Sequence, residues 1–91
     1  MARFTALVQI FTDSTSLDAV EGALSKLDNL EALFEVTGEF DVVALISARD
    51  NVEFREILKE KIRSIEGVKA TAISVVLKDV RAPARVPMIE A

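Results

Sequence analysis

Residues 30–48 read LEALFEVTGEFDVVALISA, and the way this stretch divides decides the fold. Ala32, Phe34 and Val36 alternate with the more polar row Leu33, Glu35 and Thr37, the period of two expected of a half-buried strand. From Asp41 to Ala48 the run is apolar on both faces and rich in β-branched residues, as in a central strand. Gly38 lies where the first of these strands must turn into the second, and a hairpin there needs a residue that tolerates positive φ. Asp41 is not demanded by the turn. A carboxylate at the start of a buried strand must find a partner or water, and either strand-cap chemistry or a ligand can provide it.

Working outward, residues 3–11 (RFTALVQIF) place Phe4, Ala6, Val8 and Ile10 on one face of a strand, with Leu7 and Phe11 keeping the other face partly apolar. Residues 12–29 follow with Leu17, Val20, Leu24 and Leu27 at helical spacing, Ser14 or Thr15 as N-cap, and Asp18 and Glu21 suited to the early turns. On the other side, residues 49–67 form a second helix. Asp50 and Glu53 make a capping box, Phe54, Ile57, Leu58, Ile62 and Ile65 form the buried stripe, and Gly67 marks the end. Residues 68–80 (VKATAISVVLKDV) are a last strand of about a dozen residues, longer than is usual. The domain spans residues 1–81, and 82–91 is a proline-containing tail without periodicity, either disordered or an arm packing Val86, Met88 and Ile89 on another subunit.

The element order is β-α-β-β-α-β, the split βαβ arrangement of an α+β, ferredoxin-like sandwich. Right-handed crossovers put the first and third strands in the middle of a four-stranded antiparallel sheet, and these are the two strands apolar on both sides. Two helices cover one face only. The other face would expose Leu7, Phe11 and parts of the last two strands, so the sequence predicts self-association, most simply as a twofold dimer.

The composition narrows the chemistry. The chain has 91 residues, enough for one small core, and lacks His, Cys, Trp and Tyr, so thiolate nucleophiles, disulfides and histidine bases are unavailable. A net charge of −4 argues against a nucleic-acid surface. Arg55, Lys59 and Arg63 share a helical stripe, but Glu56 and Glu60 lie beside them, the pattern of a solvated face. No apolar run is long enough to span a membrane, no cleavage site follows the apolar N-terminal segment, and no cofactor is implied; a cytoplasmic protein is expected.

The run VTGEFDVVALIS (36–47), followed after one helix by IEGVKATAISVVLKDV (65–80), resembles the effector-binding half, or RAM domain, of the Lrp/AsnC family of transcriptional regulators. The similarity covers residues 3–81. It implies dimers closed through the open sheet faces into an α/β-barrel type unit, further assembly into rings, and amino-acid effectors held in clefts between subunits. Carried over by position, it points to Thr37, Gly38, Glu39, Phe40 and Asp41 in the hairpin and to Thr71 and Ser74 on the last strand. Backbone N–H groups around a Gly turn can hold a carboxylate, an acidic side chain can hold an ammonium, and Phe40 can wall the cleft. Where many members have a second Thr two residues after the first, this chain has Ile73.

Members usually carry an N-terminal helix-turn-helix domain, so the resemblance is to a stand-alone form of the module, acting alone or by mixing with full-length regulators. The expected function is non-catalytic. The alternatives are a small dimeric α/β-barrel enzyme using Glu39 or Asp41 as base, and a purely structural oligomerisation unit.

Overall fold

The computed structural model describes residues 4–37, 41–78 and 80–81. Along them run β1 (Phe4–Thr12), a 3-10 turn (Ser14–Ser16), α1 (Leu17–Leu24), β2 (Leu30–Glu35), β3 (Val42–Ala48), α2 (Asn51–Ile57) continued by a π-helical turn (Leu58–Ile62), and β4 (Val68–Val75). The sheet is antiparallel in the order β2-β3-β1-β4, so the two strands apolar on both faces are the central pair, as the sequence predicts. This is the expected ferredoxin-like α+β sandwich.

The register sets small residues against large ones: Ala6 pairs with Ile46 and Val8 with Ala44, and Ile10 closes the row against Val42. All six are fully buried, and Val20 and Leu24 of α1 with Phe54 and Ile57 of α2 complete the layer above them. Close packing of this kind makes the core sensitive to single methylenes. Phe4 and Phe54 meet with ring centroids 5.2 Å apart, closing the core at one end.

Three local readings change. The N-cap of α1 is Ser16, without a side-chain hydrogen bond, because residues 14–16 tighten into a 3-10 turn first. α1 ends at Leu24, and Leu27 reaches the core from the following turn. β4 stops at Val75, eight residues long rather than about a dozen, and Val76 N–H on the Thr5 carbonyl (2.8 Å) is the last bond to β1 among the described residues. The tail 82–91 lies outside the described residues.

In α2 the expected capping box is present. Asp50 Oδ1 accepts from Glu53 N–H (2.9 Å), while Glu53 Oε1 reaches one residue further back than usual, to Arg49 N–H (2.7 Å). The π turn, closed by Arg63 N–H on Leu58 C=O (2.8 Å), brings Ile62 onto the buried side with Ile57, five residues before it. Replacing Asp50 by Ala is expected to destabilise the domain by about 1 kcal/mol, seen as a lower urea midpoint at unchanged m-value.

β2 departs from its polarity pattern. A bulge between Leu30 and Ala32 turns the more polar row inward, so that Leu33 and Glu35 pair with Ala44 and Val42 of the helix-covered face, while Ala32, Phe34 and Val36 look the other way. Asn29 anchors the start of the strand by exchanging two bonds with Ser47, Nδ2 to O (2.8 Å) and O from N (2.9 Å). Among the described residues no helix is long and apolar enough to cross a membrane.

Candidate functional site

The β2–β3 hairpin closes through Val36 N–H on the Asp41 carbonyl (2.9 Å). Asp41 is tied to the sheet twice more. Its N–H donates to the Ile10 carbonyl (3.1 Å), and its Oδ2 accepts from both the N–H (3.0 Å) and the hydroxyl (3.3 Å) of Thr12. Thr12 is buried at the end of β1, where the ladder shifts register, so the carboxylate satisfies a backbone N–H at that end of the strand. The strand-cap explanation of Asp41 is therefore realised, with the second carboxylate oxygen outside that contact.

The other sequence-predicted residues are dispersed. Thr37 is exposed beside the hairpin tip, and Gly38, Glu39 and Phe40 lie outside the described residues. Thr71 pairs with Ile10 and so sits on the helix side of β4, whereas Ser74 pairs with Leu7 and sits on the open side. Three residues apart on a strand, they face opposite ways and cannot line one cleft of a single chain.

The open face is continuous. Leu7, Phe34, Val43 and Leu45 are half-buried on it, and Phe11 is 40% exposed. A monomer seldom leaves so much contiguous apolar surface in water.

Sequence reasoning missed one charged pair. The inward turn of β2 brings Glu35 to Glu21 of α1, whose Oε2 is buried without a hydrogen-bond donor among the described residues. The ability to share a proton with the neighbouring Glu35 carboxyl, then desolvation, then the charges of Glu35 and Asp18, push Glu21 up from 4.5 to about 6. Because the folded state holds this proton more tightly than the unfolded chain, the stabilisation is complete below pH 4.5 and is lost as pH rises through about 6. Glu35→Gln should flatten that stretch of a plot of thermal midpoint against pH and raise the midpoint at neutral pH. Only the bulge, invisible as a local pattern, brings these carboxylates together.

The chain resembles known proteins in family and fold. The family model for the Lrp/AsnC ligand binding domain matches residues 5–86. A protein of Thermus thermophilus is 30% identical with a TM-score of 0.78, over 90% of this chain and 99% of that one. A transcriptional regulator of Neisseria meningitidis, solved with L-methionine, has a TM-score of 0.83 at 20% identity, over 92% of this chain and 56% of its own. Homocitrate synthase of Sulfolobus acidocaldarius is 30% identical over 74 residues, 80% of this chain but 16% of the enzyme.

Proposed function

The chain belongs to the Lrp/AsnC ligand-binding domain family, and on that premise we propose that it is a non-catalytic module that binds a small amino-acid-like effector between subunits and so modulates assembly and transcription. The observation that carries this reading is the bare apolar face from Phe34 across Val43 and Leu45 to Leu7 and Phe11. A twofold copy laid on it removes that surface from water. Ser74 then lies in the interface and Thr71 outside it, an arrangement that suits a ligand touched by more than one chain.

The L-methionine complex of the Neisseria meningitidis regulator, which shares the fold, supports an amino acid as the ligand class. The Asp41 oxygen that does not contact Thr12 is suited to an ammonium group, and the hairpin backbone around Gly38 to a carboxylate. Thr37, Glu39 and Phe40 complete the proposed contacts. An effector needs only to favour one assembly over another, whether of this chain alone or mixed with full-length regulators. A base role for Asp41 is disfavoured because its carboxylate already holds Thr12. The homocitrate synthase match, a small fraction of that enzyme, fits a regulatory module carried by an enzyme as readily as one carried by a regulator.

Light scattering on a size-exclusion column, with a thermal-shift screen of the amino acids, tests the proposal. A dimer-based oligomer stabilised by one or a few amino acids is expected. A monomer overturns it, and an oligomer indifferent to every amino acid favours the structural oligomerisation unit.

A further inference from the structure

We propose that the groove between the end of the α2 segment and the free edge of β4 is an anion site, formed by Arg63, Lys69 and Thr71, for the carboxylate of a small acidic ligand. The groove, of about 520 Å³, exists because the helices pack mainly over β2 and β3 and leave part of the helix side of β4 uncovered, with Ile73 38% and Val75 43% exposed. Lys69 is the extra residue of the bulge at which Val68 pairs with Thr12 and Ala70 with Phe11, and such bulges re-aim side chains. It lines the groove with Arg63, which comes from the turn after α2.

Neither cation forms an ion pair among the described residues, although the chain carries a net charge of −4. Two such cations in one concavity focus potential there. The edge adds donors. Since Val76 N–H bonds to Thr5, the alternation of an antiparallel ladder turns the N–H groups of Thr71 and Ile73 away from β1, beside the Thr71 hydroxyl. Val68, Ala70 and Ile73 are the apolar wall of an otherwise mainly polar groove, which leaves room for a short carbon skeleton beside the carboxylate. The Ile73 departure, which removes a hydroxyl from the family pattern, supplies part of that wall. Thr71 is shared with the proposed effector contacts, so the inference rests on that reading at this one position.

Amide chemical shifts followed during titration of the full chain with L-glutamate, 2-oxoglutarate, inorganic phosphate and sodium chloride, at matched ionic strength, test it. Saturable shifts at Lys69, Thr71 and Ile73 are expected for the two carboxylates, weaker ones for phosphate and none for chloride. Arg63→Gln combined with Lys69→Gln should weaken L-glutamate binding at least about tenfold while the thermal midpoint holds. Shifts reproduced by sodium chloride, equal affinity for phosphate and L-glutamate, or binding indifferent to the double substitution would overturn the proposal. A parallel L-methionine titration read at Thr12 and Asp41 reports on the effector reading separately, so a silent groove with a responding Asp41 sinks this inference alone.

Discussion

Gly67→Ala is expected to destabilise the domain by about 3–5 kcal/mol, the sum of two independent penalties. Gly67 has φ +102°, the one positive φ among the described residues, and a side chain there is strained wherever it points. A Cβ at this position would also stand 2.4 Å from Ser16 Cβ and 2.8 Å from its Oγ, with Val20 Cγ2 at 3.3 Å. The backbone cannot easily retreat, because the Gly67 carbonyl accepts the Asp13 N–H (2.9 Å) and so ties the entry to β4 to the loop before α1. Set against a total stability of about 5–10 kcal/mol for a domain of this size, the loss leaves little margin. Adding Ser16→Gly should recover the steric part, about 1–3 kcal/mol, and leave the φ penalty. Equal urea midpoints for Gly67→Ala with and without Ser16→Gly would show that the close approach is not what excludes a side chain.

Asp41→Ala is expected to lower stability by about 2–3 kcal/mol. The Thr12 N–H and hydroxyl lose a charged acceptor, and Thr12, 6% exposed, has little access to water in exchange. Asp41→Asn keeps the shape and one acceptor oxygen, so it should retain roughly half of the difference. The pair has a functional corollary. Any effector response lost on Asp41→Ala must be compared with Asp41→Asn and with Thr12→Val, since a response that follows the thermal midpoint reports the strand clamp rather than a ligand contact. Denaturant curves on these variants, with m-values checked for constancy, separate the two.

Most of the architecture was legible because it is written in short-range patterns. Two-sided apolarity marked β1 and β3 as central, the stripe Phe54, Ile57, Leu58, Ile62 and Ile65 marked the second helix, and Asp50 with Glu53 marked its start. Each of these depends on residues a few positions apart. The candidate site was less legible. Thr71 and Ser74 were grouped by a family pattern, and only the β1–β4 register shows that they face opposite sides of the sheet. The row Leu33 and Glu35 looked like the outer face of β2 by polarity, yet the bulge after Leu30 turns it inward onto α1.

What the sequence by itself determined is therefore the element order, the central strands and the side of each helix that is buried, because hydrophobic periodicity is a local property that any packing must respect. Tertiary structure decided what is made by segments far apart in the chain: Asp41 on Thr12, Gly67 against Ser16, Glu35 beside Glu21, and Arg63 beside Lys69 across a bulge. A bulge or the last hydrogen bond of a ladder shifts such neighbours by a whole residue while leaving every local pattern unchanged, and a one-residue shift exchanges the two faces of a strand.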